Sequence, residues 1–221
     1  SEGIEIKYGH CAANIEGYGA LVYTIAISDD NPEYNAAKGK GVPCISRADF
    51  MGYLMKHYVT RIGVSGMHGK STCTSMIAHS LISADLDPTV LSGAVLAEMD
   101  GVYRIGSRDT MVFEACEYKD SFLSFYPKIA VILNIEMDHV DYFSSMEQII
   151  ESFASFIKRT DEDGGLAVIN CDDEYVMQAA KKAGRNTVSF GLGGITGYMV
   201  DMLRAGCFRS LLDVQCFDLT A

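Results

Sequence analysis

The sequence lacks paired cysteines, a long hydrophobic run and an excess of positive charge. Its seven cysteines, an odd number, include no C-x-x-C pair, which argues against a zinc site and a disulfide framework. Reduced thiols are typical of a cytoplasmic protein. No apolar segment is long enough to cross a bilayer, so membrane insertion is not expected. The formal net charge of −11 makes nucleic acid and anionic membranes unfavourable partners.

Hydrophobic residues make up 48% of the chain and are spread along it, which predicts a packed core. Apolar runs rich in β-branched residues alternate with segments of helical pattern. The predicted strands cover 20–27, 61–66, 110–115, 128–135, 166–170 and 187–192, and the final residues, 217–221, also have a strand pattern. This alternation predicts an α/β fold, with a mostly parallel sheet covered by helices on both faces.

Local signals indicate where the first helices begin. Asn31 is placed to cap a helix that starts at Pro32, because proline is favoured at the first helical position. A second helix is predicted over 47–58. A new strand–loop–helix unit then begins at Arg61, and its helix follows Gly69. The domain boundary is therefore predicted just before Arg61, giving domains 1–60 and 61–221.

Two later helices carry clear end signals. Ser144 and Glu147 form a predicted capping box. Asp172 or Asp173 caps the next helix, which is predicted to stop at Gly184. Behind the capping box, apolar residues recur at the spacing of an amphipathic helix: Met146, Ile149, Ile150, Phe153, Phe156 and Ile157.

The stretch G-M-H-G-K-S-T, residues 66–72, lies between a predicted strand and a predicted helix. The strict phosphate-loop pattern G-x-x-x-x-G-K-[ST] needs a glycine where Val64 stands, so that pattern is not met. The physical requirements remain, because glycines allow close backbone approach and N–H groups at a helix start face an anion. Lys70 adds a positive charge for phosphates, and Ser71 offers a hydroxyl to Mg²⁺. A phosphate site is predicted; the plainer alternative is a turn that only links strand to helix.

Two further predicted strands end in polar clusters. F-E-A-C-E places Glu114 and Glu117 after one strand, and N-I-E-M-D-H-V-D follows the other. Polar residues beyond the carboxyl ends of parallel strands lie where open α/β sheets bind ligands. We therefore expect metal ligands beside the loop, against the alternative of solvated residues at strand ends. The second cluster contains Asn134, Glu136, Asp138, His139 and Asp141.

Three stretches together resemble the Mur ligases of peptidoglycan synthesis: G-M-H-G-K-S-T, E-A-C-E-Y-K-D-S-F and N-I-E-M-D-H-V-D-Y-F. Earlier stretches, including A-I-S-D-D-N-P-E and G-V-P-C-I-S-R-A-D-F-M, resemble the first domain of the same family. The resemblance extends to about N-C-D-D at 170–173 and weakens beyond it. It implies the remnant of a Rossmann-like, UDP-sugar-binding domain over 1–60. A phosphate-loop NTPase-like, ATP-binding domain with a parallel sheet, incomplete at its end, would follow over 61–221.

The resemblance implies a cytoplasmic, ATP-dependent acid–amino-acid ligase that joins L-alanine to the lactyl carboxylate of UDP-N-acetylmuramate. The γ-phosphate of ATP would pass to the carboxylate, and the amine of L-alanine would attack the resulting acyl phosphate. Activation is needed because a carboxylate is a poor acyl donor, so catalysis would rest on positioning and charge neutralisation. ATP and Mg²⁺ are the implied cofactors.

The resemblance also assigns roles by motif position. Lys70, Glu114 and His139 would be catalytic, with Lys70 holding the phosphates and the migrating phosphoryl group. Ser71 and Glu114 would hold one Mg²⁺, and His139 a second, through a neutral imidazole. The cofactor-binding loop would comprise Gly66, Met67, His68, Gly69, Lys70, Ser71 and Thr72.

Other positions are assigned less directly or depart from the family. Glu117 and Ser121 would lie near the sugar nucleotide. Met67 stands where the family usually has threonine, and Cys116 stands where it usually has aspartate. Met67 keeps its backbone N–H, so phosphate binding is expected to survive.

The family pattern extends beyond this sequence at both ends, so we expect a truncated chain. The glycine-rich first turn, the end of the ATPase domain and a third domain would be missing. We therefore expect these 221 residues alone to bind phosphates weakly without turnover. Two alternatives stay open: a sister ligase that attaches a recycled tripeptide, and a non-catalytic nucleotide- or UDP-sugar-binding module. An ordinary kinase or GTPase is disfavoured, because the loop lacks its first glycine.

Overall fold

The computed structural model describes residues 3–96 and 101–191, which divide into two compact units between Leu54 and Met55. The strand predicted over 217–221 lies outside the described residues. Within the described part, no helix combines the length and the apolar character needed to cross a membrane. The domain limits inferred from the sequence, 1–60 and 61–221, stay a prediction.

The first unit contains a small βαβ arrangement, in which two strands pair in parallel around one connecting helix. The capping prediction is confirmed, because Asn31 Oδ1 accepts hydrogen bonds from the N–H groups of Glu33 and Tyr34 at 3.0 and 3.1 Å. The elements are a 3-10 helix (Ala12–Ile15), β1 (Leu21–Tyr23), α1 (Pro32–Gly39), β2 (Cys44–Ser46) and α2 (Arg47–Met55).

The buried strand predicted over 20–27 is wrong in length and burial. Only Leu21–Tyr23 pair with another strand, and Val22 is 43% exposed. Both strands of a two-stranded sheet are edge strands, so an apolar run there need not be buried on both faces. The helix predicted over 47–58 is also shorter, ending at Met55.

Within residues 55–96 and 101–191, the second unit contains a sheet of seven strands in the order β5-β4-β6-β3-β7-β8-β9, and only the β4–β5 pair among them is antiparallel. This architecture confirms the predicted α/β fold with a mostly parallel sheet. The strands are β3 (Thr60–Ser65), β4 (Thr89–Leu96), β5 (Gly101–Arg104), β6 (Thr110–Glu114), β7 (Ile129–Ile132), β8 (Leu166–Asn170) and β9 (Thr187–Phe190). The helices are α3 (Lys70–Ser83), α4 (Met146–Lys158) and α5 (Glu174–Ala183), with a 3-10 helix at Tyr118–Ser124.

Alternate residues of the central strands face opposite helix layers, as the pleat of a strand requires. On one face, Ile62 and Val64 of β3 and Val112 of β6 pack in one buried cluster with Ala78 and Leu81 of α3. These aliphatic contacts pack the second half of α3 against β3 and β6.

The opposite face of the sheet is packed with aromatic rings. Gly63 of β3 leaves room for Phe113, since a Cβ there would lie 2.9 Å from the phenylalanine ring. Phe122 stacks on Phe156 of α4 at 4.7 Å between ring centroids and meets Phe153 edge-on at 5.3 Å. These rings tie the 3-10 helix after β6 to α4.

The capping box of α4 lies one residue later than predicted. Ser145 is the N-cap, and its Oγ accepts from the N–H of Gln148 at 3.2 Å, while Gln148 Oε1 accepts from the N–H of Ser144 at 2.8 Å. The sequence S-S-M-E-Q contains two overlapping boxes, and the prediction selected Ser144 with Glu147. Side-chain pattern alone does not separate two registers that differ by one residue.

Two other predicted boundaries can be compared. α5 is capped by Asp173 and ends at Gly184, as predicted. The strand predicted over 128–135 is limited to Ile129–Ile132, because the chain beyond it leaves the sheet. At Asn134 the backbone carbonyl instead accepts a hydrogen bond from the N–H of Met67.

Candidate active site

Four neighbouring strands bring the candidate residues to one edge of the sheet. Strands β4, β6, β3 and β7 lie side by side in that order and run in the same direction, so their carboxyl ends lie at the same edge of the sheet. Gly66 follows β3, Glu114 is the last residue of β6, and Asn134 lies two residues beyond β7. The motifs are far apart in sequence, and parallel pairing alone places them side by side.

The loop between β3 and α3 requires glycine at both ends. Gly66 has φ +147° and Gly69 has φ +80°, which side chains rarely tolerate. A Cβ on Gly66 would lie 3.0 Å from Leu133 Cβ and 3.2 Å from the nitrogen of Asn134. Gly69 is the N-cap of α3 and provides no side-chain cap, so the first amides of the helix remain directed at the loop. Such amides form a site for an anion.

Asn134 braces this loop from the neighbouring strand end. Its Oδ1 accepts from the N–H of His68 at 2.9 Å, and its Nδ2 donates to the carbonyl of His68 at 3.0 Å. A side chain with both a donor and an acceptor is needed for this two-way contact, which neither aspartate nor leucine supplies. The His68 side chain is exposed and the Met67 side chain is buried.

Gly66→Ala is expected to destabilise the second unit by about 1–3 kcal/mol, because it combines a strained φ with close approach to Leu133 and Asn134. Urea unfolding of the two proteins would measure the difference in free energy. The matched control is Gly39→Ala at the end of α1, where a Cβ meets nothing within 4 Å. A Gly66→Ala protein as stable as wild type would show that the loop tolerates a side chain.

The side chains of Lys70, Glu117 and His139 form one polar cluster. Lys70 Nζ lies 3.1 Å from Glu117 Oε2, and His139 Nε2 lies 3.2 Å from Glu117 Oε1. The lysine also donates to the carbonyls of Gly66 and Met67. The Glu117 side chain is 1% exposed, against 17% for Lys70. A carboxylate buried so deeply requires charged or hydrogen-bonded partners, because an unpaired buried charge is costly.

Ser71 and Glu114 form a second contact beside the first. Ser71 Oγ donates to Glu114 Oε2 at 3.1 Å, and Glu114 Oε1 accepts from Ser92 Oγ at 2.8 Å and from the N–H of Gly93 at 2.6 Å. The carboxylate is thus oriented by α3 on one side and by β4 on the other. Sequence reasoning missed Ser92 and Gly93, because they lie within β4 (Thr89–Leu96), a strand that the sequence analysis did not predict.

The remaining predicted residues lie around these contacts. Thr72 is exposed in the first turn of α3. Ser121 Oγ lies 2.9 Å from the carbonyl oxygens of both Cys116 and Tyr118, and its single hydroxyl hydrogen can donate to either, so it helps to fold its own segment. The proximity of Ser121 and Glu117 to a sugar nucleotide stays a prediction.

The oxygens of Ser71 and Glu114 fit Mg²⁺ in their chemistry. In the two described ranges, no group of three or more His, Cys, Asp or Glu side chains is arranged to hold a metal. Mg²⁺ is commonly held by one or two carboxylates together with substrate phosphates, not by a protein-only cage. The hydroxyl of Ser71 and the carboxylate of Glu114, in contact beside the glycine-containing loop at 66–72, are a donor set of this partial kind. His139 directs Nε2 at Glu117, so its role toward a second Mg²⁺ stays a prediction.

Two tyrosine–aspartate hydrogen bonds join the segment after β6 to the segment after β7. Tyr118 Oη donates to Asp141 Oδ2 at 2.7 Å, which raises the pKa of the tyrosine and lowers the pKa of the aspartate. Tyr142 Oη donates to Asp120 Oδ2 at 2.6 Å, which raises the pKa of Tyr142 to about 12. Asp120 also accepts from Ser152 Oγ on α4. These partners were not recognised from the sequence.

Curated proteins with similar sequences point to one family of ligases. UDP-N-acetylmuramate–L-alanine ligase of Clostridium botulinum (strain Hall) is 41% identical over 208 residues, covering 93% of this chain and 45% of the relative. The enzyme of that name from Clostridium acetobutylicum is 44% identical over 190 residues, covering 86% of this chain and 41% of the relative. The chain therefore spans less than half the length of these curated relatives.

Solved structures give a matching result. UDP-N-acetylmuramate–alanine ligase from Thermotoga maritima superposes with a TM-score of 0.74 at 28% identity, covering 87% of this chain and 43% of that one. UDP-N-acetylmuramate:L-alanyl-γ-D-glutamyl-meso-diaminopimelate ligase from Neisseria meningitides has a TM-score of 0.73 at 28% identity, covering 84% and 62%.

Family profiles match nearly the whole sequence. The profile described as Mur ligase family, catalytic domain, matches residues 1–59, and the profile of the Mur ligase middle domain matches residues 64–207. The middle-domain match alone covers more than half of the chain. The loop, the strand-end carboxylates and the parallel sheet thus have a common explanation: the chain belongs to the Mur ligase family.

Proposed function

We propose that this chain is the nucleotide-binding part of an ATP-dependent ligase that joins L-alanine to the lactyl carboxylate of UDP-N-acetylmuramate. The observation that carries the proposal is the geometry of the loop at 66–72. There, Lys70 Nζ donates to the carbonyl of Gly66, next to the hydrogen bond between Ser71 and Glu114. The names of the relatives at 41% and 44% identity support the choice of substrates. Residues 1–60 would belong to the UDP-sugar domain and residues 61–221 to the ATP-binding domain.

The proposed roles follow from where each group lies. The amides at the start of α3 would bind the β- and γ-phosphates. Lys70 Nζ would exchange its contacts with the carbonyls of Gly66 and Met67 for phosphate oxygens, and would neutralise charge as the phosphoryl group moves to the substrate carboxylate. The amine of L-alanine then attacks the acyl phosphate, and phosphate leaves. This chemistry needs positioning and electrostatic stabilisation and no covalent bond to the protein.

The metal roles are proposed on the same grounds. Ser71 and Glu114 would hold Mg²⁺, whose charge would reduce repulsion among the phosphate oxygens and the incoming carboxylate. Ser92 and the N–H of Gly93 would keep the Glu114 carboxylate in its orientation. His139 would serve a second Mg²⁺. ATP and a UDP-sugar are cytoplasmic compounds, so the proposed reaction takes place in the cytoplasm.

A second candidate function comes from the Neisseria structure, which matches this chain as well as the Thermotoga structure does. In that case the co-substrate would be the peptide L-alanyl-γ-D-glutamyl-meso-diaminopimelate. The closeness of the two TM-scores, 0.73 and 0.74, shows that fold similarity does not separate the two substrates. The sequence identities of 41% and 44% to enzymes named as L-alanine ligases favour L-alanine as the co-substrate.

The test supplies the full-length protein containing these residues with ATP, Mg²⁺ and UDP-N-acetylmuramate, and adds either L-alanine or the tripeptide. We expect ADP release with L-alanine, and a product heavier than UDP-N-acetylmuramate by one alanine residue in mass spectrometry. ADP release with the tripeptide only would establish the second candidate. Nucleotide binding without release in either mixture would indicate a non-catalytic binding module.

A further inference from the structure

Glu117 lies where two loop segments meet. The post-β6 segment comprises residues 116–121, and the post-β7 segment comprises residues 138–143. Three side-chain contacts join them, pairing Glu117 with His139, Tyr118 with Asp141 and Asp120 with Tyr142. The ring of Tyr118 also lies 4.8 Å from the ring of His139. The two segments are therefore locked together at the carboxyl edge of the sheet.

Both segments contain strained backbone. In the described ranges, four non-glycine residues have positive φ, and three of them lie here: Lys119 at 51°, Asp120 at 56° and His139 at 50°. Such conformations persist only where the surroundings hold them, and they concentrate at functional sites. Asp120 is held by Tyr142 and by Ser152. The strained backbone indicates that the two segments have a functional role besides connecting a strand to the next helix.

The consequence of this locking is the position of one carboxylate. Lys70 Nζ donates to both oxygens of Glu117, to Oε2 at 3.1 Å and to Oε1 at 3.3 Å, and His139 Nε2 lies 3.2 Å from Oε1. The Glu117 side chain is 1% exposed. Lys70 begins α3 and His139 follows β7, so the carboxylate joins groups from two separate elements.

The carboxylate also dictates the state of the histidine ring. An ionised carboxylate is an acceptor only, so the nitrogen that faces it must carry a proton. The neutral ring of His139 is then protonated at Nε2, and the lone pair lies on Nδ1. A carboxylate that fixes the tautomer and the orientation of a functional histidine is a recurrent device around catalytic centres.

We propose that Glu117 is a positioning residue, which orients Lys70 toward the phosphates and holds His139 as the Nε2–H tautomer. This inference rests on the proposed ligase function, and it replaces contact with the sugar nucleotide as the role of Glu117. Glu117 acts through its two neighbours. The alternative is an ion pair that contributes only to folding, and the two possibilities predict different measurements.

The first measurement needs no variant at the carboxylate. The full-length protein is labelled with ¹⁵N-histidine, and the ring nitrogens of His139 are observed by NMR under conditions in which the ring is neutral. A His139→Asn protein identifies the signals by their loss. We expect a single Nε2–H tautomer in the wild-type protein. A ring protonated at Nδ1, or a mixture of the two tautomers, would overturn the proposal.

The second measurement compares the kcat and KM of two Glu→Gln variants, each of which replaces a carboxylate that pairs with a lysine. Glu117→Gln keeps the shape but turns an amide N–H₂ toward one of its partners, and its kcat is expected to fall by about 10- to 100-fold. The KM for ATP is expected to change less than about threefold, because backbone amides still hold the phosphates. The control is Glu151→Gln, whose carboxylate pairs with Lys182 at 3.0 Å on the surface. It should leave both constants unchanged.

The possible outcomes distinguish a failure of the positioning role of Glu117 from a failure of the proposed ligase function. A Glu117→Gln enzyme with wild-type kcat would contradict the positioning role. A lower melting temperature together with unchanged kcat per folded molecule would identify an ion pair that serves folding only. If the wild-type protein has no ligase activity, the proposed function fails. The tautomer measurement would still decide whether Glu117 fixes the ring of His139.

Discussion

Lys70→Ala is expected to lower the kcat of the full-length protein in the proposed ligase reaction by about 10²- to 10³-fold, because it removes the charge that would stabilise the migrating phosphoryl group. In the structure the ammonium group of Lys70 donates hydrogen bonds to the carbonyl groups of Gly66 and Met67, just before the start of α3. ADP release at saturating ATP, UDP-N-acetylmuramate and L-alanine would measure the loss. Binding of ATP should weaken less than turnover, since backbone amides of the loop remain.

The control for Lys70→Ala is Lys182→Ala. Lys182 also pairs with carboxylates, those of Glu147 and Glu151, but it lies on the surface at α5. Its removal should not change kcat. Because Lys70→Ala leaves Glu117 with the ring of His139 as its remaining side-chain partner in this cluster, thermal melting must show that the variant is folded at the assay temperature. A folded Lys70→Ala enzyme that keeps more than about a tenth of wild-type kcat would contradict the assigned role.

Phe122→Ala is expected to destabilise the second unit by about 3–5 kcal/mol. The ring is fully buried, stacks on Phe156 and meets Phe153 edge-on. Its loss leaves a cavity between the 3-10 helix and α4 that the rigid sheet behind it cannot fill. Urea unfolding followed by circular dichroism would give the change in free energy. Phe122 directly follows the post-β6 segment, so loss of the ring should also loosen Glu117.

Tyr103→Ala is the matched control for the loss of an aromatic ring. Tyr103 lies on the edge strand β5 and is 54% exposed, so its removal should change the free energy of unfolding by less than about 0.5 kcal/mol. Equal effects of the two substitutions would mean that the aromatic cluster of Phe122, Phe153 and Phe156 does not support the sheet as the packing indicates.

Much of the fold was predictable because local signals agreed with one another. The strands that form the centre of the sheet were marked by apolar, β-branched runs, and α3 was marked by a glycine at its start. Asn31 and Asp173 cap helices as predicted, since their side chains bond to amides only two or three residues away. A contact of that range depends on sequence neighbours and little else.

Other features were decided by residues distant in sequence. In the described part of the chain, β1 pairs only with the three-residue strand β2, and this pairing covers Leu21–Tyr23. Glu114 was a candidate from its strand-end position. Its partners Ser92 and Gly93 became visible only when β4 and β6 paired.

The sequence by itself determined the α/β class, the position of the glycine-containing loop between β3 and α3, and the set of polar residues that follow β6 and β7, because periodicity and short motifs are local. Only the tertiary structure decided which of those residues meet. Lys70, Glu117 and His139 are separated by 47 and 22 positions, and their contact depends on the parallel pairing of β6, β3 and β7. Sheet order and loop strain are long-range properties, so the use of Glu117 as a shared partner could not be read from spacing.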